Sequence, residues 1–286
     1  MIGSMVEPCY FKKGLEMKNI VSFVIAIFVS AVVFGQDAKT TQCVAKDCAF
    51  KMNLDSSVTV YDFDGGAVVA VDPEITVDIC DKLTVGAGLP FYNDNNSYFD
   101  PRQLTWMLSN GVMDANGTGL SDIQFFATYN VFDGKFDLIK CMDKVWLNVS
   151  GGIGIPLDGV YSSNDTTYNI GGNVGASWGN ISLEHDVKYT IVDQYSYIAP
   201  FSSFVEGDVY EGVSSLSWNS SDIITISLDI TQINADEYNL ILVGPSIDLK
   251  LTSNSFVSAG FGIPVDDETP GGELDAAFNF GLGLQF

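Results

Sequence analysis

The sequence predicts an all-β protein: a single antiparallel, up-and-down transmembrane β-barrel of about twelve strands. Three observations lead there. From Ser57 onward the chain is a series of segments that alternate apolar and polar residues, with no helical period. Tight turns and longer polar loops alternate between these segments. Aromatic side chains fall in pairs on one face of a segment, one near each end, at the spacing of the two interfaces of a bilayer.

The front of the chain sets the compartment. The protein has 286 residues, a net charge of −23, one arginine (Arg102) and one histidine (His185). So acidic and arginine-poor a chain does not hold phosphate backbones, which excludes nucleic-acid binding. Met17-Lys18-Asn19 precedes an apolar run from Ile20 to Phe34, followed by Gly35-Gln36-Asp37. A positive start, a short apolar stretch and a small residue at its exit read as a secretory signal over residues 1–35, with Met17 as the alternative start. At roughly fifteen residues the run is short for a membrane-spanning helix. Residues 36–56 are then a periplasmic segment and 57–286 the barrel. In an exported chain the four remaining cysteines, Cys43, Cys48, Cys80 and Cys141, are disulfide candidates with three possible pairings, all expected at the periplasmic end. With no histidine near them, no metal site is expected, and nothing calls for a cofactor.

Strands are expected near 57–63, 67–80, 83–91, 120–132, 145–157, 168–179, 181–192, 208–219, 222–233, 237–251, 255–265 and 273–286. In one, Ile224, Ile226, Leu228 and Ile230 alternate with Thr225, Ser227, Asp229 and Thr231. With both termini periplasmic the number must be even. Ten or fourteen follow if the region before Cys80, where Pro73 interrupts the pattern, divides differently. Asp81-Lys82, Gly179-Asn180, Ser220-Ser221 and Thr252-Ser253-Asn254 are tight periplasmic turns; loops near 92–119, 158–167, 193–207 and 266–272 face outside.

Tyr168 and Trp178 share a face on one strand, as do Tyr210 and Trp218 on another. At about 3.3 Å per residue and a tilt near 40°, each pair spans roughly 20–25 Å of height. Tyr189 and Tyr238 are expected in the outer ring of aromatics and Phe286 in the inner one. Lys82, Lys135, Lys140, Lys144 and Lys250 gather at the periplasmic turns, while the outer loops carry acids that include Asp94, Asp100, Asp158 and Asp266.

The last segment has one oily face, Phe278, Phe280, Leu282, Leu284 and Phe286, and one small, polar face, Asn279, Gly281, Gly283 and Gln285. It resembles the closing strand of bacterial outer-membrane barrels, which ends in Phe. That resemblance implies a place in the bacterial outer membrane and recognition of Phe286 by the barrel assembly machinery.

Three upward strands end alike: Gly86-Ala87-Gly88-Leu89-Pro90, Gly152-Ile153-Gly154-Ile155-Pro156 and Gly260-Phe261-Gly262-Ile263-Pro264. The glycines point to the lumen, where they remove bulk, and each proline, lacking a donor, is expected to mark the strand's end at the rim. With Gly119-Leu120-Ser121-Asp122-Ile123 opening a strand, this repeat resembles the outer-membrane transporter family named for the meta-pathway of phenol degradation. The resemblance covers residues 74–160 and the C-terminal strands. It implies passage of small, aromatic or apolar compounds.

Parity places Glu74, Asp78, Glu184, Asp186, Lys188, Glu211, Asp229, Asp248, Lys250 and Asp275 inside, with Phe126, Phe132 and Trp146. An acid excess favours a hydrated lumen, since unpaired carboxylates in a dry one are costly. His185 shares the lipid face with Leu183, Val187 and Tyr189, which leaves a water-filled site without a histidine base and argues against an enzyme. The expected function is passive passage of small aromatic, apolar or cationic solutes. The alternative is a filled barrel acting as a surface or anchoring protein through its outer loops, such as 92–119 with Tyr98, Phe99 and Trp106. An outer-membrane hydrolase is the remote third.

Overall fold

The computed structural model describes residues 50–80, 82–96, 117–135, 142–157, 161–163, 165–192, 195–235, 238–270 and 272–286. The expected signal, Cys43, Cys48, Cys141, Lys140, Asp100, Asp158 and, in the 92–119 loop, Tyr98, Phe99 and Trp106 lie outside them. Strands follow the alternating segments in order. They are β1 (Phe50–Phe63), β2 (Gly66–Ile79), β3 (Leu83–Gly88), β4 (Phe91–Asp94), β5 (Gly117–Leu120), β6 (Ile123–Gly134), β7 (Lys144–Ile155) and β8 (Thr167–Trp178). Then come β9 (Ile181–Ile191), β10 (Tyr195–Ile198), β11 (Ser203–Glu206), β12 (Val209–Asn219), β13 (Ile224–Ala235), β14 (Tyr238–Thr252), β15 (Ser255–Glu268) and β16 (Leu274–Gln285).

The sheet runs β1-β16-β15-β14-β13-β12-β9-β8-β7-β6-β3-β2, and β2 pairs back onto β1. Closure leaves no edge, which is what spanning a membrane with strands demands. Two of the twelve staves are built from consecutive short strands, β3 with β4 and β5 with β6. The break between β3 and β4 falls at Leu89-Pro90, opposite Pro73 of β2, whose carbonyl accepts from the Leu89 N–H at 3.1 Å. The missing proline donors meet where the ladder is already interrupted. β1 starts at Phe50, seven residues before the expected Ser57, and pairs along its whole length with β2.

No second layer covers the outer face. Phe280 is 55 % exposed and Leu282 47 %, values that a sandwich core would not leave. Ile170, Leu183, Leu216 and Leu228 are exposed likewise. This apolar belt around a closed barrel is solvated by hydrocarbon. Tyr168 and Trp178 lie on it, as do Tyr210 and Trp218, with Tyr189 paired beside Tyr210 across β9 and β12. Tyr238 does not join the outer ring: it is the inward partner of buried Ala235 and meets Phe201 inside at 6.1 Å between ring centroids.

Turns at the end carrying the start of β1 and the end of β16 are short at Gly179–Asn180 and Ser253–Asn254. That is the periplasmic end. The alternation of short and long is less strict than expected, because Asp64-Gly65 and residues 236–237 make two-residue connections at the outer end.

The buried core is not in a domain of its own; it fills the outer half of the barrel. Inward residues of the wall, Phe63, Val68, Val209, Ile233, Leu240 and Leu274, meet Tyr161 and the residues Tyr197, Ala199, Phe201, Phe204 and Val205. The latter belong to the hairpin of β10 and β11, a separate two-stranded sheet whose connecting 3-10 turn, Ala199–Phe201, carries Ala199 and Phe201. Within the 193–207 segment, expected as a solvated outer loop, residues 195–206 therefore form a plug. Its apolar residues drive it inward, since exposing them at the rim would forfeit burial of several large side chains.

Candidate functional site: the barrel lumen

The lumen has three levels. At the periplasmic end lies a vestibule of about 790 Å³, lined among others by Asn53, Asp55, Asp248, Lys250, Phe256 and Gln285. At mid-height a cavity of about 650 Å³ is lined by Tyr61, Asp72, Glu74, Tyr92, Phe126, Asp186, Lys188, Tyr197 and Glu211. A smaller one of about 270 Å³ lies beside Thr59, Asp229, Ser246 and Asn279, and shares Tyr61 and Ile233 with it. Above them is the apolar plug.

Registers put Glu74, Asp78, Glu184, Asp186, Lys188, Glu211, Asp229, Asp248 and Lys250 on the inner face, with Phe126 and Trp146. Lys188 and Glu211, opposite each other on β9 and β12, form an ion pair at 2.7 Å. The Asn173 amide donates to Glu184, and to Asp186 at 2.6 Å. Asp78 accepts from Thr84 at 2.6 Å and Asn53 at 3.0 Å, and Asp229 accepts from Ser246 at 2.5 Å. Lumenal amides and hydroxyls thus share the carboxylates' charge. Although it points inward, the Lys188 side chain is 51 % exposed, so the mid-lumen is hydrated while the outer end is filled.

Two inward assignments and one outer-loop assignment change. Val131 is an extra residue between Asn130 and Phe132 in the β6–β7 ladder, which turns Phe132 outward opposite Leu147. A bulge at Asp275 gives the inward place facing Phe63 to Leu274 and leaves Asp275 exposed. Asp94, expected among the solvated outer acids, is 1 % exposed. The sequence reading also passed over Asp55 and Asp72. Asp72 has the parity of Glu74 and Asp78 and lines the mid-lumen cavity with Glu74.

The glycines of the repeat face inward, and neighbours occupy the space left by Gly86, Gly152 and Gly154, while Gly88, Gly260 and Gly262 have room for a Cβ. The Phe126 ring lies so close to Gly86 that an added Cβ would meet it at 2.3 Å; Trp146 covers Gly175 at 2.2 Å in the same way. An inward aromatic crossing a glycine on the next strand packs its ring flat against the wall. Pro156 follows the last residue of β7, as expected of a rim proline. Pro90 only divides β3 from β4, and Pro264 lies inside β15, next to a register shift that absorbs Val265.

Two buried carboxylates anchor the outer core: Asp94 holds the plug and Asp122 holds the loop after β7. Asp94, at the end of β4, accepts from the Tyr197 hydroxyl at 2.6 Å, Ser202 Oγ at 2.9 Å and the Asn96 N–H at 2.8 Å. Burial, and then the Asp94 charge beside it, hold the Tyr197 hydroxyl well above the ordinary phenol range, so it stays a donor. Asp122, in the Gly119–Ile123 motif, accepts from Ser162 Oγ at 2.6 Å and from the N–H and Oγ of Ser163 at 2.8 and 2.5 Å. Its neighbour Ser121 donates to the Tyr161 carbonyl at 3.1 Å. These anchors bring Tyr92, Tyr161 and Tyr197 into one cluster, with ring centroids 4.5–5.6 Å apart, which roofs the mid-lumen cavity.

His185 faces outward, its Nδ1 2.8 Å from Ser214 Oγ of β12. It offers no base to the lumen. Cys80 occupies the turn after β2 with a left-handed φ of 55°; its three candidate partners lie outside the described residues.

A hydrated lumen within a closed apolar belt defines an outer-membrane β-barrel. Solved structures share the fold. The COG4313 outer membrane channel from Pseudomonas putida F1 is similar at a TM-score of 0.57 and 10 % identity, over 84 % of this chain and 96 % of that one. The NanC porin is similar at 0.53 and 8 % identity, over 81 % and 98 %. No family model and no curated sequence matches, so the likeness to the phenol meta-pathway family rests on the quoted motifs alone.

Proposed function

We propose that the barrel is a passive channel for small amphipathic solutes, with an aromatic or apolar body and a neutral or positive polar group. The observation that carries this is the lining of the mid-lumen cavity. Tyr61, Tyr92, Tyr197 and Phe126 offer ring faces and edges, while Asp72, Glu74, Asp186 and Glu211 outnumber Lys188. Rings suit a planar apolar body and attract a cation over their faces. A carboxylate excess in a narrow wet passage favours cations. That the fold is shared with a channel and a porin supports passage over anchoring.

The test is liposome swelling by the purified barrel with benzylamine, benzyl alcohol and benzoate. The amine and alcohol should enter faster than the acid, and the amine's advantage should shrink as salt rises and screens the carboxylates. Equal rates for amine and benzoate would refute the charge preference.

A second reading, a filled barrel acting through its surface, draws on the apolar plug. It requires that no solute pass, with or without that plug. Export by residues 1–35, disulfide pairing among Cys43, Cys48, Cys80 and Cys141, and recognition of Phe286 during assembly belong to the same proposal. Mass spectrometry of the mature, unreduced protein tests the first two.

A further inference from the structure

We propose that the β10–β11 hairpin is a gate over the outer mouth and that Asp94 is its latch. The inference rests on the channel reading and adds how the channel is closed. Its first support is position. Tyr197, Ala199, Phe201, Phe204 and Val205 are each no more than 5 % exposed and pack against inward residues of the outer wall, while Tyr197 roofs the mid-lumen cavity. A solute crossing from outside to that cavity must displace them.

The second support is attachment. Strand pairing joins β10 only to β11, through Tyr195–Glu206 to Ile198–Ser203, so the hairpin is not a stave of the wall. Its tip is fixed by side chains: Tyr197 and Ser202 both donate to Asp94 Oδ2, at 2.6 and 2.9 Å. Asp94 is carried by the wall strand β4 and lies 103 and 108 residues from these donors, so the bond ties two distant parts of the chain. Hydrogen bonds to a buried charge are among the stronger ones, and this carboxylate takes two from one movable element.

The third support is a pivot at the foot. Gly207 has a φ of +87°, which favours glycine, and nothing lies within 4 Å of where a Cβ would be, so this position is not packed against the wall. The next residue, Asp208, is clamped to the wall by the Tyr189 hydroxyl at 2.5 Å and the Val192 N–H at 3.2 Å. A fixed residue beside a free one is how a hinge is built. The aromatic face of the hairpin makes opening costly in water, so the closed form dominates. A solute with an apolar body lowers that cost by replacing the lost contacts.

The experiment compares three full-length barrels by single-channel recording and liposome swelling. They are the wild type, Tyr197→Phe with Ser202→Ala, and a chain in which residues 196–205 are replaced by a short Gly-Ser linker. Heat-modifiable gel mobility confirms that each is folded. The double variant keeps the ring contacts and removes both latch bonds, so its open fraction should rise roughly a hundred- to ten-thousandfold. The linker chain should be open throughout. If the linker chain conducts no more than the wild type, the hairpin is no gate, although the channel stands. If the linker chain opens and the double variant behaves like the wild type, Asp94 is not the latch. A folded linker chain that passes nothing overturns both the gate and the channel.

Discussion

At the scale of single residues, glycine and aspartate have the sharpest roles. A Cβ on Gly152 would lie 2.5 Å from the Phe125 carbonyl, which is backbone, whereas on Gly262 it would meet nothing nearer than Leu242 Cβ at 3.5 Å. Gly152→Ala should therefore cost about 1–3 kcal/mol and Gly262→Ala far less. Denaturant unfolding in lipid would expose the error if the two were alike. Asp122 is 2 % exposed and serves two serines of the loop after β7. Asp122→Ala should loosen that loop by roughly 3 kcal/mol or more, since each hydrogen bond to a charge is worth about 1.5–3. Chymotrypsin, which cannot reach buried Tyr161 in the native protein, should then cut there; resistance equal to the wild type would contradict the anchor. The aspartate of the Gly119–Ile123 motif could be picked out in the sequence, but its partners could not, because they lie about 40 positions away in a loop with no pattern.

Among the elements, the staves follow a rule that sequence reasoning can use. Each has one face in hydrocarbon and one in the lumen, so parity reveals both the strand and its orientation. β13 shows the consequence. Its outward Ile224, Ile226, Leu228 and Ile230 lie in the apolar belt, and Leu228 is near mid-height. Leu228→Arg should cost about 2–4 kcal/mol and Ile224→Arg, at the periplasmic interface, about 0–1. Equal penalties in a reversible bilayer unfolding assay would argue against the belt. Parity fails where one residue is inserted, as at Val131 and Asp275, because every side chain beyond a bulge changes face. It also says nothing of a segment that is not a stave. The plug looked like a loop because it is short and flanked by Asp193 and Asp208. Yet Tyr197, Ile198, Phe201, Phe204 and Val205 are too oily for a solvated loop, and that was the signal to follow.

The whole molecule combines two environments that a soluble fold keeps apart. Its exterior is apolar and its interior is part water, part packed core. On the proposed channel reading, the net charge of −23 and the acidic mid-lumen cavity would together draw positive solutes towards the interior. One further property comes from the seam. β1 and β16 pair from Asn53–Gln285 to Phe63–Leu274, and Gln285 also bonds the Asn53 side chain, 232 positions away. That ladder cannot begin to form until β16 has been made, and so wide a separation makes it slow to find. Until then β1 and β15 each present a raw row of amides. Biogenesis must shelter those two rows from stray partners for the whole interval.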